Sequence, residues 1–172
     1  VDRVLQAAKL DRDEFSLTKT KFDLHQLVRN TVQHLCFDEC EKVTTVNYHF
    51  DADQFIVNAD EMHIKNVVTN LIDNAIKYSR NGTSLDIRTD NRQEGILLSI
   101  EDNGIGMSKE TVKHIFDKFY RVKHPKTRQV TGTGLGLAIV KGIVDAHQGT
   151  IDVESVVDKG TTFKILLPII ME

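Results

Sequence analysis

The strongest pattern of apolar and polar positions in the chain is helical and runs from Glu61 to Tyr78. Apolar residues recur there every three or four positions, and neither glycine nor proline interrupts them, which predicts one long amphipathic helix. Its apolar stripe consists of Ile64, Val67, Val68, Leu71, Ile72, Ala75 and Ile76. We expect this stripe to face the core.

The same spacing predicts three further helices. One begins after Asp23, whose side chain can cap it, and continues over residues 24–43. A short one follows the capping residue Ser108 and ends near residue 116, and another covers residues 135–147. The first ten residues, VDRVLQAAKL, have the pattern of a helix already under way, and a polar connector follows them.

Alternating apolar and polar residues predict six strands in three consecutive pairs. The pairs are 44–50 with 54–60, 83–91 with 95–103, and 150–156 with 161–169. Strands that come in pairs, instead of alternating strictly with helices, favour antiparallel neighbours. The sequence therefore predicts an α/β (α+β) two-layer sandwich, with a mixed, largely antiparallel sheet covered on one face by helices.

Composition and charge exclude several classes of protein. The chain has 172 residues, of which 40% are hydrophobic and 27% are charged, which is typical of a folded domain and not of disorder. A net charge of −3 gives no electrostatic reason to bind nucleic acid or an anionic membrane. No apolar run reaches the roughly 18 to 20 residues that would span a bilayer.

Two asparagines interrupt the long helix beside its apolar stripe. Asn70 and Asn74 lie one turn apart on the same face, although asparagine is a poor residue for a helix interior. Their amide oxygens can ligate a hard cation such as Mg²⁺ that also binds phosphate oxygens, and Lys77 on the same side can meet a phosphate. Alternatively, both asparagines merely face water.

Two glycine-rich segments are candidates for ligand contact. In EDNGIGMS, Asp102 ends a strand and can accept a hydrogen bond from an exocyclic amine such as that of adenine; the alternative is a plain turn. In GTGLG, three glycines expose backbone N–H groups at a helix start, where phosphate binds well; the alternative is a flexible loop. The spacing G-x-G-x-G without a preceding strand excludes a dinucleotide fingerprint, and no G-x-x-x-x-G-K-[ST] loop occurs.

Taken in order, the segments resemble the catalytic, ATP-binding domain of sensor histidine kinases, whose superfamily includes DNA gyrase and MutL and whose architecture is the Bergerat fold. NLIDNAIKYS resembles the N box, DNGIGM the first glycine box, FDKFYRV the F box, GTGLGLAIVKGIV the second glycine box, and KGTTF a trailing glycine–threonine element. The resemblance covers about residues 22–168. It implies binding of ATP with Mg²⁺ and transfer of the γ-phosphoryl group to a protein histidine.

The resemblance implies roles for the matching residues. Asn74 is the expected Mg²⁺ ligand, and Asn70, Lys77 and Arg121 are expected to orient and neutralise the phosphates as catalytic residues. Where ATP-hydrolysing relatives have a glutamate, this chain has Asn70, which fits transfer over hydrolysis. Asp102 is expected to accept from the adenine amine. Further nucleotide contacts are expected from Tyr78, Gly104, Gly106, Gly132, Gly134, Leu135, Gly136, Leu137 and, through water, Thr161.

The resemblance also implies a domain organisation. Residues 1–21 are expected to be the end of a dimerisation helix and a linker, residues 22–172 the catalytic domain, and residues 118–133 an ATP lid that becomes ordered with the γ-phosphate. None of the histidines at positions 25, 34, 49, 63, 114, 124 and 147 lies in an acceptor sequence like H-E-x-R-T-P-L. We therefore expect a monomeric fragment of a homodimer, with the acceptor histidine upstream.

The implied partners are the protein's own acceptor-histidine domain and the receiver domain of a response regulator, with no nucleic acid. The resemblance also implies that this chain is a cytoplasmic domain of a membrane-anchored protein. Two alternatives stay open: a serine protein kinase of the same fold, of the anti-sigma type, and a module that binds nucleotide or a partner without transferring phosphate.

Overall fold

The computed structural model describes residues 16–38, 42–79, 82–122, 130 and 132–168. The helix end predicted at 1–10 and residues 123–129 and 131 of the predicted lid lie outside the described residues. The strands are β1 (Thr20–Asp23), β2 (Val43–Phe50), β3 (Ile56–Ala59), β4 (Thr83–Arg92), β5 (Gly95–Asp102), β6 (Thr150–Val156) and β7 (Gly160–Pro168). The helices are α1 (Leu24–Asp38), α2 (Glu61–Lys77), α3 (Lys109–Val112) and α4 (Gly136–Ala146).

Five strands form the main sheet in the order β2-β4-β5-β7-β6. The pair β2–β4 is parallel, and the other three neighbouring pairs are antiparallel. Strands β1 and β3 form a separate two-stranded antiparallel sheet. The predicted mixed, largely antiparallel sheet is confirmed.

The core lies between this sheet and one layer of helices. Along β4, Leu85 and Ile87 are fully buried while Arg88 is exposed, as expected of a strand with one covered face. Helix α2 packs between α1 and α4 and buries the whole predicted stripe. Asp60 caps α2, because its carboxylate accepts from the His63 backbone N–H at 3.1 Å.

Three predicted boundaries differ from the structure. The polar connector contains β1, which pairs with β3 from Thr20 opposite Ala59 to Asp23 opposite Ile56, a pairing over a distance that local patterns do not reveal. The helix predicted over 24–43 ends at Asp38, and Val43 instead opens β2 opposite Thr83. The helix after Ser108 is one turn long, and turns follow it to residue 116.

Candidate functional site

One large cavity opens between the second half of α2, the loop after β5 and the start of α4. Its empty volume is about 1030 Å³, part of it open to solvent, which is enough for a mononucleotide. All the predicted site residues line it except Gly104 and Leu135. None of the other lining residues was predicted as a nucleotide contact, although Tyr120, Val122 and Thr133 belong to the predicted lid. Most of them are apolar: Ile105, Met107, Ile115, Tyr120, Val122, Thr133 and Phe163.

Asn70 presents an oxygen, not an amide N–H, on the cavity side of α2. Its Nδ2 donates to the Asn66 carbonyl oxygen at 2.9 Å and to Asn66 Oδ1 at 2.7 Å, which uses both amide protons. The remaining Oδ1 lies at the start of α4, 3.0 Å from where a Cβ on Gly136 would stand. These two hydrogen bonds favour this orientation of the buried amide. Asn70 can therefore accept from a water or ligate a cation, but cannot donate to a phosphate.

Two positively charged side chains, Lys77 and Arg121, also line the cavity. Lys77 Nζ donates to Asp73 Oδ2 at 2.6 Å, and Arg121 Nη2 donates to the Val130 carbonyl at 2.5 Å. Burial raises the pKa of the Tyr78 hydroxyl, with the Arg121 charge opposing and the Asp73 charge adding to this shift. Asp73 does not line the cavity, but it holds Lys77 there; the sequence did not predict this partner, although its i, i+4 spacing to Lys77 was the available signal.

Asp102 lines the same cavity from the end of β5. The Gly104 backbone N–H donates to Asp102 Oδ1 at 2.8 Å. Burial raises the pKa of Asp102 to about 6, although the N–H groups of Gly104 and Thr161 lower it; Glu101 adds to the rise. Such a perturbed carboxyl in a cleft is typical of a functional group. At a pH above this value the carboxyl is ionised and can accept a hydrogen bond from an amine.

The glycines after Asp102 are needed for contacts within the protein. A Cβ on Gly104 would stand 2.7 Å from the Tyr78 carbonyl oxygen, and one on Gly106 would stand 2.0 Å from the Val156 carbonyl oxygen. Gly106 also has φ +62°, which favours glycine. At both positions the missing side chain leaves room for neighbouring backbone, and the nucleotide contacts expected of these glycines stay predictions.

Helix α4 begins at the cavity. Among the described residues, no side chain caps its N-terminus, so backbone N–H groups are left for a ligand at the positive end of the helix dipole. Gly132, Gly134, Gly136 and Leu137 line the cavity beside this end. Leu135 does not, because its side chain is fully buried in the core.

Two negative findings apply only to the described part of the chain. It contains no cluster of three or more His, Cys, Asp and Glu side chains able to hold a metal ion. It also contains no helix that combines the length and the apolar character required to cross a bilayer.

The chain is similar to known proteins along most of its length. Residues 59–170 match the profile of the family described as histidine kinase-, DNA gyrase B-, and HSP90-like ATPase. Sensor protein RprX of Bacteroides fragilis (strain YCH46) is 40% identical over 172 residues, covering 99% of this chain and 33% of that protein. Sensor histidine kinase WalK of Bacillus subtilis (strain 168) is 34% identical over 170 residues, covering 98% and 28%.

Solved structures give the same picture. The mycobacterial sensor histidine kinase MprB has a TM-score of 0.73 and 25% identity, covering 88% of this chain and 97% of that one. The chain spans about a third of the length of the curated relatives it matches.

Proposed function

Because this chain belongs to the histidine kinase-, DNA gyrase B- and HSP90-like ATPase family, we propose that its cavity binds Mg·ATP and donates the γ-phosphoryl group to a histidine on another domain of the same protein. The fold is the Bergerat fold of that family, with a mixed five-stranded sheet and helices on one face. In the intact protein, the phosphoryl group would then pass to an aspartate of a response regulator.

One observation carries the proposal: a single cavity brings together groups with the chemistry of both ends of ATP. Asp102 offers an acceptor for the adenine amine. Lys77, Arg121 and the start of α4 supply positive charge and N–H donors for the phosphates. The apolar side chains of the same cavity suit the faces of a purine ring.

The amide oxygens of α2 fit a magnesium ion. Asn70 points only its oxygen toward the cavity, and Asn74 lines the cavity one turn later. Mg²⁺ takes oxygen ligands, keeps several waters and shares phosphate oxygens, so it does not require a carboxylate cage. When bound, it would neutralise charge on the phosphates. Asn74 is the proposed ligand, with Asn70 holding a water or the ion itself.

The same amide favours phosphoryl transfer over hydrolysis. An amide cannot take a proton from water, and both protons of Asn70 Nδ2 are bound to Asn66. The cavity residues thus hold the triphosphate without activating water beside it. What remains for this domain is positioning and charge neutralisation, which is most of what phosphoryl transfer requires. Lys77 and Arg121 are the proposed contributors.

The proposed partners follow from the relatives. RprX and WalK are a sensor protein and a sensor histidine kinase, so the intact protein is proposed to be a homodimer with its acceptor histidine on a dimerisation domain. We propose that residues 1–21 belong to the connection with that domain, and that the whole is a cytoplasmic part of a membrane-anchored sensor.

The test mixes this chain with Mg²⁺, γ-labelled ATP and a separately produced dimerisation domain that contains the acceptor histidine. We expect acid-labile, base-stable label on the dimerisation domain, and none when its histidine is replaced by glutamine. Asn74→Asp and Asp102→Asn should strongly reduce the labelling and weaken Mg·ATP binding, because they disturb the metal ligand and the adenine acceptor. Wild-type Mg·ATP binding in both variants would overturn the site. Acid-stable phosphoserine as the only product would instead indicate a serine kinase.

A further inference from the structure

We propose that Ser155 is a positioning residue that sets the preference of the site for an amino-purine over an oxo-purine. It acts by fixing the direction of the Thr161 hydroxyl. Ser155 does not line the cavity, whereas Thr161 does. The inference rests on the proposed nucleotide-binding function and adds to it a source of base selectivity.

Three neighbouring strands place the relevant side chains in one row. Ser155 on β6 lies directly opposite Thr161 on β7, and Thr161 lies directly opposite Asp102 on β5. Directly paired residues of adjacent strands project from the same face of a sheet. The row therefore leads from the edge strand to the carboxylate that lines the cavity.

The hydrogen bonds of Ser155 account for every bonding position of its hydroxyl. Ser155 Oγ donates to the Gly160 carbonyl oxygen at 3.0 Å and accepts from the Met107 backbone N–H at 2.8 Å. Its third contact is Thr161 Oγ1 at 2.9 Å. A serine hydroxyl has one proton and two lone pairs. Because the carbonyl takes the proton and the Met107 N–H one lone pair, Thr161 must be the donor in the third contact.

This direction leaves the Thr161 hydroxyl only lone pairs to offer the cavity. Thr161 is 7% exposed, so its hydroxyl cannot easily turn to water for a different partner. Beside it, ionised Asp102 is also an acceptor only. This part of the cavity therefore presents acceptors to the edge of a bound base, directly or through a water. A 6-amino group meets them as a donor, whereas a 6-oxo group would place oxygen against oxygen.

Ser155→Ala in the complete 172-residue chain removes the acceptor that holds the Thr161 proton. The freed hydroxyl can then donate toward a 6-oxo group. We expect the ratio of affinities for Mg·ADP over Mg·IDP, measured by titration calorimetry, to fall about fivefold, which corresponds to one hydrogen bond. Ser155→Thr keeps a hydroxyl at the same position and should retain the wild-type ratio. If Ser155 had only a structural role, Ser155→Ala would weaken the binding of both nucleotides equally. The ratio of affinities would then stay unchanged, which would overturn the inference.

Thr161→Val gives a second test that does not depend on the folding of Ser155→Ala. If the Thr161 proton is already bound to Ser155, removing the hydroxyl takes an acceptor and no donor from the cavity, so the ratio should fall, by up to about fivefold. A ratio that stays unchanged or rises would show that the hydroxyl does not act as an acceptor toward the base and would overturn the assignment. If wild-type protein binds neither nucleotide, it is the proposed function that fails; if it binds Mg·ADP and only the predicted ratios fail, the role of Ser155 alone is wrong.

Discussion

Among the cavity residues, Asp102 has the most strongly altered acidity. Burial removes water from the Asp102 carboxylate, which raises its pKa to about 6, while two backbone N–H groups favour the charged form. In the free protein this burial favours the acid form. As pH rises from about 4 to about 6, the buried carboxyl becomes ionised and its contribution to the free energy of unfolding decreases. Above pH 6 this contribution no longer changes.

Nucleotide affinity should show the titration of Asp102 directly. The adenine amine donates a stronger hydrogen bond to the ionised carboxylate than to the neutral acid, so we expect the Kd for Mg·ADP to rise by up to about tenfold per pH unit below pH 6. Calorimetric titrations from pH 5 to pH 8 measure this. The phosphates of the nucleotide also titrate near pH 6, and Asp102→Asn controls for them. If wild type and Asp102→Asn show the same pH dependence, Asp102 does not contact the base.

Some residue-scale partners were predictable from spacing, and others were not. The Asn66–Asn70 and Asp73–Lys77 contacts join positions one helical turn apart, so the sequence allowed both. The contact of Ser155 with Met107 joins residues 48 positions apart, and only the packing of β6 against the loop after β5 brings them together. The sequence contained no signal for it.

At the scale of elements, the GTGLG segment (residues 132–136) is attached to the first residues of the predicted lid. The Phe119 backbone N–H donates to the Gly134 carbonyl at 3.0 Å, and Phe119 itself has φ +63°. Gly134 has φ +73°, and a Cβ on it would stand 2.9 Å from Phe119 Cα. Among the described residues, none lies within 4 Å of where a Cβ on Gly132, two residues earlier, would stand.

These two glycines offer a matched pair of substitutions. Gly134→Ala should lower the free energy of unfolding by about 1–3 kcal/mol or displace the loop, because the added methyl group would meet backbone atoms and the positive φ is strained for alanine. Its affinity for Mg·ADP should fall as the start of α4 moves. Gly132→Ala should stay within about 0.5 kcal/mol of wild type in stability. Thermal unfolding with and without Mg·ADP measures both, and equal behaviour of the two variants would contradict this account.

Element prediction succeeded where the local pattern and the tertiary environment agree. Helix α2 was predicted over 61–78 and spans Glu61–Lys77, because its capping residue and apolar stripe act locally. Strand β1 was missed because four residues with mixed polarity become a strand only by pairing with β3, more than thirty residues later. Val43 likewise continued a helical pattern but joins the sheet beside β4.

At the scale of the whole molecule, the far ends of α2 and α4 meet away from the cavity. His147, just after α4, accepts from the Asp60 backbone N–H through Nε2 at 3.0 Å and donates from Nδ1 to the Ile143 carbonyl at 2.8 Å. Asp60 Oδ2 accepts from the Thr18 backbone N–H at 2.8 Å. The junction therefore ties both cavity helices to the chain that enters β1, and it requires a neutral imidazole.

Acid should weaken this junction. Burial lowers the pKa of His147, with the charges of Lys19 and His63 acting in the same direction and the contact to Ile143 and the Asp60 charge opposing it. The unfolded chain thus binds a proton near pH 6.5 before the folded protein does. We expect the free energy of unfolding to fall below that pH, by at most about 1.4 kcal/mol per pH unit from this group.

His147→Gln removes the titrating ring and keeps a polar side chain. Urea unfolding at pH 7.5 and pH 5 should show a smaller loss of stability for His147→Gln than for wild type. Comparing the two proteins cancels the contributions of other titrating groups to the pH dependence. Burial also lowers the pKa of His25, and the raised pKa of Asp102 acts in the opposite direction. Parallel loss of stability in the two proteins would mean that His147 does not carry this pH dependence.

The sequence by itself determined the class of fold, the main helix α2 and the residue types of the site, because capping, periodicity and short motifs act over a few residues. The tertiary structure decided which residues share the cavity, which way Asn70 points, and why Gly104 and Gly106 are glycines. It also decided the pKa of Asp102 and the partner of the Thr161 hydroxyl. These properties depend on desolvation and on contacts between distant segments, which no local pattern of residues encodes.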